Sequence, residues 1–335
     1  MREEDFSGIL RRFGSCRVAV VGDMMLDVYL WGRVSRISPE APVPVVNVQN
    51  RTSCLGGAAN VMRNVATLGA RAFAFGVTGC DLTGDELAAE LRKYRIGVDG
   101  VLRDETRRTT EKRRVIAGVQ QLLREDYEDL HAVSDEIRRK MVEQVIRLIR
   151  AGEVDAVIFE DYRKGLLAGW MLEEVVAEAR RAGVVTALDP KPESIAPVKG
   201  ISVMKPNRSE AFALAGIPDS AEWVHPLEDR ALAEVARRLL DEWAPEQLLI
   251  SLAAQGMALF GRDGTVEVIP TRAREVFDVS GAGDTVTATF TLALVSGATP
   301  VQAAELANRA AGVVVAKVGT VPVHFAELDE ALKKA

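Results

Sequence analysis

Short apolar runs alternate with amphipathic helical segments along the second half of the chain, and this alternation restricts the fold more than any other feature. Residues 156–159, 184–188 and 202–205 are predicted to be buried strands. Helices are predicted from a cap at Ser134 and over residues 170–182. Such alternation is typical of βαβ units and a mostly parallel sheet. Ligands in folds of this kind bind at the carboxyl ends of the strands.

Two stretches outside this alternation predict a small β lid. Residues 38–48 place three prolines in a β-branched run, and proline belongs on edge strands rather than central ones. Residues 109–124 have a basic hairpin pattern that turns at Gly118. The structural alternatives are a plain connecting loop and a solvated charged hairpin. We place the lid segments at about 38–50 and 107–127.

Composition excludes several classes of protein. The 335 residues have a formal net charge of −6 and no long basic tract, which argues against nucleic-acid binding. Three cysteines without metal spacing are typical of reduced thiols in a cytoplasm. The start of the chain predicts no signal peptide, and the uncharged run at residues 285–304 favours a buried helix over a membrane span. Without linker or repeat, the chain predicts a single domain over residues 1–335.

A glycine-rich stretch, Asp-Val-Ser-Gly-Ala-Gly-Asp at residues 278–284, lies where an extended segment is predicted to pass into a helix over residues 281–295. The first turn of a helix offers unpaired N–H groups and the positive end of the dipole, which suits an anion. Ser280 is the expected N-cap. Asp284 is then a candidate carboxylate base beside the anion, and a surface aspartate is the alternative.

Polar residues near earlier strand ends are candidates for a binding site. Asp27 follows a first buried strand over residues 17–23, and Gly56 and Gly57 open a helix where a ligand could approach the backbone. Asn60 offers a donor and an acceptor suited to a sugar hydroxyl. The glycine spacing does not match the dinucleotide fingerprint, which disfavours an oxidoreductase. A turn carboxylate and a packing glycine pair are the structural alternatives.

Asn207 and Glu210 follow the strand at residues 202–205. They stand three apart at a helix start, so both project from one face. Oxygen ligands of this kind suit a metal–phosphate site. A helix-capping pair is the alternative, and it is the commoner role for such residues.

Together these motifs resemble the signatures of the ribokinase-like (PfkB) family of sugar kinases. GGAAN at residues 56–60, N-x-x-E at residues 207–210 and DVSGAGD at residues 278–284 have the family's order and separation. The resemblance runs from Val18 to about Glu327. It implies a three-layer α/β fold whose mostly parallel central sheet is flanked by helices, with a β lid that often joins a homodimer. It also implies ATP, Mg²⁺ and, as in some relatives, K⁺.

A narrower resemblance connects the chain with bacterial D-glycero-β-D-manno-heptose 7-phosphate kinases. It rests on RISPEAPVPV at residues 36–45, DYRKG at residues 161–165 and the stretch at residues 311–320. Ser280 replaces the usual Thr and keeps the hydroxyl, while Pro192 replaces the usual Gly and alters a loop. In that subfamily the kinase is often fused to an adenylyltransferase. We expect only the kinase part here.

The resemblance assigns roles to individual residues. Asp284 is the base, and Gly281, Ala282 and Gly283 form the anion hole. In some relatives the positions that correspond to Asp278 and to the region of Gly319 and Thr320 bind a monovalent cation. Asn207 and Glu210 serve the metal and the nucleotide phosphates. The full nucleotide set is Asn207, Arg208, Ser209, Glu210, Ser251, Gly256 and Asn308, and the full sugar set is Asp27, Gly56, Gly57, Asn60, Lys112, Arg114, Arg124, Asp161 and Lys164.

Local charge favours a phosphorylated sugar as the acceptor, because a chain of net −6 needs a cationic pocket to bind one. Lys112, Arg114 and Arg124 lie in the predicted lid, and Lys164 follows a strand end. Which of them binds the phosphate stays open. The alternatives are a kinase of this family for fructose 6-phosphate, ribose or a keto-deoxy acid, and a catalytically silent binding protein on the same fold.

Overall fold

The computed structural model describes residues 3–220, 224–273 and 275–333, so both ends of the predicted domain lie outside the described part. Within it, thirteen strands form two sheets. The strands are β1 (Arg17–Gly22), β2 (Met24–Ile37), β3 (Pro44–Gly57), β4 (Arg71–Thr78), β5 (Gly97–Arg103), β6 (Glu111–Ala117), β7 (Gln120–Tyr127), β8 (Ala156–Glu160), β9 (Val185–Asp189), β10 (Val203–Met204), β11 (Gln247–Ser251), β12 (Met257–Gly261) and β13 (Val266–Ile269).

The large sheet has the strand order β13-β12-β11-β10-β9-β8-β1-β4-β5. Its pairings are parallel from β5 through to β11, and β12 and β13 add an antiparallel edge. Because parallel strands share one direction, the carboxyl ends of β1, β8, β9, β10 and β11 meet at one edge. This edge carries the candidate site.

Helices cover both faces of the large sheet. Buried side chains of β1 alternate between two apolar cores, with Val18 and Val20 in one and Ala19 and Val21 in the other. The first core takes up α1, α2, α3, α8, α9 and α10, and the second takes up α4 to α7. The helices are α1 (Glu3–Arg12), α2 (Ala58–Thr67), α3 (Leu82–Lys93), α4 (Asp135–Arg150), α5 (Gly169–Ala182), α6 (Arg208–Leu214), α7 (Arg230–Glu242), α8 (Ala282–Val295), α9 (Pro300–Val315) and α10 (Phe325–Lys333). The predicted three-layer α/β architecture is confirmed.

The small sheet has the order β3-β2-β6-β7. The predicted hairpin about Gly118 is present as β6 and β7, and the predicted edge strand is β3. The sequence interpretation missed β2. It also placed the first lid segment at about residues 38–50, whereas residues 38–43 are a loop and β3 runs from Pro44 to Gly57. Asp27 therefore lies inside a strand of the small sheet rather than in a turn.

Other differences are confined to elements with weaker patterns. The sequence interpretation did not identify β5, α1, α7 or α10. The uncharged run after residue 285 falls largely in α8, whose residues Asp284 to Ala293 are buried in protein. Among the described residues, no helix has both the length and the apolar character needed to cross a membrane.

Gly22, at the end of β1, allows β8 and α2 to approach closely. A β-carbon at Gly22 would lie 2.8 Å from Glu160 Cβ and 3.0 Å from Ala58 Cβ. We expect Gly22→Ala to lower the free energy of unfolding by about 1–3 kcal/mol through overpacking. Chemical denaturation measures this. Gly169→Ala, where an added β-carbon meets nothing within 4 Å, is the control, and equal losses in both variants would contradict the packing argument.

Candidate active site

The carboxyl ends of the central strands open into a cleft with a volume of about 990 Å³. Its walls come from the loops after β8, β9, β10 and β11 and from the start of α8. The sequence-predicted residues that line it are Asn207, Arg208, Ser209, Glu210, Ser251, Gly256, Ala282, Gly283, Asp284 and Asn308. The cleft therefore brings together the predicted nucleotide set and the predicted base.

The start of α8 is built on a glycine. Gly281 is the N-cap, with a φ of 77° that favours glycine, and no side chain caps the helix. This corrects the expectation that Ser280 is the N-cap. The amides of Gly283 and Asp284 find no acceptor in the described part of the chain, whereas Thr285 N donates to Gly281 O at 3.1 Å. Unpaired N–H groups at a helix start suit an anion.

Both carboxylate oxygens of Asp284 accept hydrogen bonds from distant parts of the chain. The Tyr162 hydroxyl donates to Oδ1 at 2.6 Å, and Asn60 Nδ2 donates to Oδ2 at 2.7 Å. Burial raises the pKa of Asp284 above its ordinary value, while these two hydrogen bonds oppose the rise. A buried carboxylate with a raised pKa and a fixed orientation is suited to accept a proton.

Gly56 and Gly57 allow Asp27 to reach the same region. A β-carbon at Gly56 would collide with Asp27 Oδ2, and one at Gly57 would lie 2.6 Å from Asp23 O. Asp27 is buried, and its Oδ1 accepts a 2.6 Å ion-paired hydrogen bond from Arg114 Nη1. The predicted sugar residues Asp27, Gly56, Gly57 and Asn60 are thus neighbours at the start of α2.

The predicted lid cations differ in their partners. Arg114 is bound to Asp27, Arg124 pairs with Asp126 at 2.9 Å, and Lys164 pairs with Glu128 at 2.6 Å. Lys112 is half-buried, and no acidic group of the described residues lies within 4.0 Å of its ammonium.

Burial and then the positive charge of Lys164 lower the pKa of Lys112, while the negative charges of Asp126 and Asp27 oppose the fall. In the register of the small sheet Lys112 stands beside Asp27 on one side and Asp126 on the other. These residues therefore share a sheet face, on which Lys112 feels both carboxylates but has none within ion-pairing distance among the described residues.

Asn207 and Glu210 form the complete capping box of α6. Asn207 Oδ1 accepts from Glu210 N, and Glu210 Oε2 accepts from Asn207 N, both at 2.9 Å. Glu210 Oε1 also accepts from Lys191 Nζ at 2.5 Å. Asp189 and Glu210 together hold the pKa of Lys191 above its ordinary value against the effect of burial. The capping role is present here, and the metal role stays a proposal.

Lys205 follows β10 and is fully enclosed, with its Nζ 2.9 Å from Asp189 Oδ2. A β-carbon at Gly283 would lie 3.4 Å from the same Nζ, so this ammonium lies against the start of α8. Burial acts to lower the pKa of Lys205, but Asp189 and Glu160 raise it above its ordinary value. A cation is thereby kept charged beside the unpaired amides.

The remaining predicted residues make mainly local contacts. Asp161 Oδ1 accepts from Arg163 N at 2.8 Å, and Arg208 pairs with Asp219 and Asp229. Asp278 accepts from Ser280 N at 2.9 Å and Gly319 N at 3.0 Å. Burial would raise the pKa of Asp278, but these backbone donors hold it below its ordinary value.

Several site residues were missed by the sequence interpretation, namely Arg63, Glu160, Tyr162, Asp189, Lys191 and Lys205. All but Arg63 stand in strands β8 to β10 or directly after them. The rule that ligands bind at the carboxyl ends of parallel strands points to this region, but it gave these five residues no individual roles. Arg63 lies in the middle of α2, and nothing in its local sequence indicates a site.

Residues 16–324 match the model of the pfkB family carbohydrate kinase. This chain belongs to the pfkB family. The match covers most of the sequence and includes the motifs that the resemblance rests on. It confirms the predicted family and, with it, the predicted class of enzyme, an ATP-dependent sugar kinase.

Two relatives are similar over nearly the whole pfkB chain. The bifunctional protein HldE of Desulfatibacillum aliphaticivorans is 44% identical over 324 residues, covering 96% of this chain and 64% of that protein. The bifunctional protein HldE of Geobacter sulfurreducens is 39% identical over 328 residues, covering 98% of this chain and 65% of that protein. The chain thus spans about two thirds of the length of these curated relatives.

Solved structures confirm the ribokinase-like fold. Arabidopsis thaliana ribokinase in complex with ribose and ATP has a TM-score of 0.69 at 20% identity, covering 95% of this chain and 99% of that one. Phosphofructokinase-2 of Escherichia coli in complex with potassium has a TM-score of 0.75 at 18% identity, covering 95% and 98%. At these identities the likeness concerns the fold alone.

Glu160 lies fully buried beneath the site, and neither of its carboxyl oxygens has a hydrogen-bond partner in the described residues. Burial, and then the charges of Asp189 and Asp284, raise its pKa well above the ordinary value. The folded protein therefore holds this proton more tightly than the unfolded chain. The stability that Glu160 contributes is complete below the unfolded pKa of about 4.3 and is lost as the pH rises through the folded pKa.

We expect Glu160→Gln, which keeps the shape and cannot ionise, to gain stability relative to the wild type as the pH rises from about 4 to 9. Thermal or chemical unfolding of both proteins across this range measures the difference. A difference that stays constant with pH would show that Glu160 does not hold a proton in the folded state.

Proposed function

We propose that this chain transfers the γ-phosphoryl group of ATP to O1 of D-glycero-β-D-manno-heptose 7-phosphate, giving the 1,7-bisphosphate, in the synthesis of ADP-heptose for the lipopolysaccharide core. The family supplies the reaction class. The choice of acceptor is supported by the similarity to the HldE proteins and by the stretch at residues 36–45.

The observation that carries the choice of a phosphorylated acceptor over a free sugar is the half-buried ammonium of Lys112, which has no carboxylate within 4.0 Å among the described residues. Asp126 and Asp27 act on this cation only from a longer distance, so a bound anion would stabilise it further. Lys164, which is paired with Glu128 at 2.6 Å, also lies near enough to lower the pKa of Lys112. A sugar phosphate brings a doubly charged group to this place, and a free sugar does not.

In the proposed reaction Asp284 accepts the proton of the attacking O1 hydroxyl. The new O1–P bond forms as the bond from the γ-phosphorus to the bridging oxygen breaks, and ADP leaves with that oxygen. Tyr162 and Asn60 hold the carboxylate in place. The free amides of Gly283 and Asp284 and the ammonium of Lys205 offer fixed positive groups to the charge that develops on the phosphoryl oxygens.

The nucleotide site fits a magnesium ion held partly through water. Asp189 Oδ1 is buried without a hydrogen-bond partner in the described residues, and Glu210 lies in the same cleft wall. Magnesium in nucleotide sites keeps several waters and needs only one or two carboxylates. When bound, Mg²⁺ supplies charge neutralisation at the nucleotide phosphates. Asn207 and Glu210 would orient its ligands.

The proposal also includes a monovalent cation, a homodimer and reduced cysteines. Asp278, held charged by backbone donors, is a candidate ligand for a monovalent cation such as K⁺. The small sheet exposes Val34, Val48 and Leu123 and has free edges at β3 and β7, which suits a homodimer joined through two lids. The three cysteines are free thiols, as expected in a cytoplasm.

The alternatives differ in a measurable way. Fructose 6-phosphate would use the same cation face, whereas ribose would leave Lys112 without an anion. A catalytically silent binding protein would not need the carboxylate of Asp284 to be oriented on both oxygens. The geometry therefore favours an enzyme, and within the family it favours a phosphorylated acceptor.

A panel of acceptors tests the proposal directly. We expect ATP-dependent turnover with heptose 7-phosphate to exceed that with fructose 6-phosphate, ribose and unphosphorylated heptose, measured as ADP release.

Asp284→Asn should reduce turnover by roughly 10²–10⁴-fold while leaving ATP affinity nearly unchanged. Equal efficiency on ribose or free heptose would refute the assigned acceptor, and near wild-type turnover by Asp284→Asn would refute the base.

Lys112→Ala should raise KM for the sugar phosphate by roughly 10- to 100-fold, because a hydrogen bond to a charged group contributes about 1.5–3 kcal/mol. KM for ATP should stay nearly constant. Arg113→Ala is the matched control, since Arg113 is adjacent on β6, points to the opposite face and pairs with Glu111 and Glu125. Similar effects of both substitutions on the sugar KM would sink the phosphate role of Lys112.

A further inference from the structure

Arg63, in the middle of α2, is a buried guanidinium without a carboxylate partner. Arg63 is only 3% exposed, and no Asp or Glu of the described residues lies within ion-pairing distance of its guanidinium. Nη2 donates to Asn60 Oδ1 at 2.5 Å and to the carbonyl oxygen of Thr320 at 2.9 Å, while Nε has no partner. Burying an unpaired charge is costly, so packing alone does not account for this residue.

The chemistry of the three side chains fixes the orientation of the Asn60 amide. Arginine can only donate hydrogen bonds, and an ionised carboxylate can only accept them. Asn60 must therefore turn its oxygen toward Arg63 and its nitrogen toward Asp284, as the contacts at 2.5 Å and 2.7 Å show. Asp284 selects the nitrogen side of the amide, and Arg63 gives the amide oxygen its short hydrogen bond. Without Arg63 this oxygen keeps only the 3.5 Å contact from Asn64 Nδ2, so the amide is held less firmly against the carboxylate.

The hydrogen bond from Arg63 to the carbonyl oxygen of Thr320 reaches a second residue that lies against Gly281, at the start of α8. A β-carbon at Gly281 would lie 2.6 Å from Asn60 Nδ2 and 2.9 Å from Thr320 Cγ2. Asn60 and Thr320 thus enclose the left-handed glycine, and one guanidinium nitrogen binds both residues. Arg63 therefore connects the base, the glycine turn and the loop at residue 320.

We propose that Arg63 is a positioning residue for phosphoryl transfer, which acts through Asn60 to keep a hydrogen-bond donor on Oδ2 of Asp284. The inference rests on the proposed role of Asp284 as the base and not on the identity of the sugar. Arg63 does not contact the carboxylate, so any effect on Asp284 passes through the residues it binds, Asn60 and Thr320, and the proposal assigns this effect to Asn60.

Loss of the hydrogen bond from Asn60 changes the pKa of Asp284 in one direction. The hydrogen bond from Asn60 opposes the effect of burial, so its loss raises the pKa of Asp284. A larger share of Asp284 is then protonated at a given pH and cannot accept a proton. The acidic limb of the pH profile of kcat/KM shifts upward when the orientation of Asn60 is lost.

The test is Arg63→Met, which keeps length and apolar volume and removes the donors. We expect the acidic limb to move up by about half a pH unit or more and kcat at neutral pH to fall by roughly 10-fold, with KM for ATP changed by less than about 2-fold. Thr67→Val is the control. Thr67 lies one helical turn further along α2, and its hydroxyl lies 2.7 Å from Val323 O and 2.9 Å from the backbone oxygen of Arg63 without a hydrogen bond to Asn60. Thr67→Val should therefore change only the melting temperature.

A double-mutant cycle with Asn60→Ala separates positioning from general packing. If Arg63 acts through Asn60, Arg63→Met has little further effect on kcat or on the acidic limb in the Asn60→Ala protein. Additive losses, or a loss of kcat with an unmoved limb, overturn the proposal. If Arg63→Met fails to fold, Arg63→Lys takes its place. The acidic limb of its kcat/KM profile should also move to higher pH, by a smaller amount.

The cycle is run with whichever acceptor the wild type turns over best. Failure of the wild type on heptose 7-phosphate with activity on another sugar rejects the proposed acceptor and leaves this test intact. An active wild type whose acidic limb is the same in Arg63→Met rejects the role of Arg63 and leaves the acceptor untouched.

Discussion

The site depends on keeping one carboxylate reactive although it is buried, with only 6% of the residue exposed at the wall of the cleft. Asp284 stands in the first turn of α8, a helix buried from this residue to Ala293. Burial favours the protonated acid, whereas the helix dipole and the hydrogen bonds from Tyr162 and Asn60 favour the carboxylate. The balance leaves a base that is stronger than an exposed aspartate yet still able to ionise.

This balance explains why the neighbouring charges alternate in sign. Lys205 lies between the helix start and Asp189, and Lys191 lies between Asp189 and Glu210. Each cation is kept charged by the carboxylates beside it, so positive groups stay aimed into the cleft despite burial. Glu160 is the exception, because its oxygens have no donor within the described residues, and a neutral acid fits there better than a further negative charge.

The fold was predictable wherever local pattern and tertiary environment agree. Strands β8 and β9 are apolar because both faces are covered, and the helix caps at Ser134 and Asn207 follow from local chemistry. Strand β2 escaped prediction because its last five residues mix polar and apolar side chains and are exposed in the small sheet, so no buried apolar pattern marks them. The partners of Asp284 escaped because Tyr162 and Asn60 lie 122 and 224 residues away in sequence, and no local pattern records such a contact.

The small sheet shows how one strand can serve two environments. Successive residues of β6 point to opposite faces, so Lys112 and Arg114 lie on the face with Asp27 while Arg113 lies on the other. Arg113 and Arg114 each have carboxylate partners, and their charges are already balanced. Lys112 has no carboxylate within ion-pairing distance among the described residues, and Asp126 and Asp27 only partly offset its charge beside the region where α2, the small sheet and the α8 start converge. A ligand that carries its own negative charge completes this arrangement, and a neutral one leaves it unbalanced.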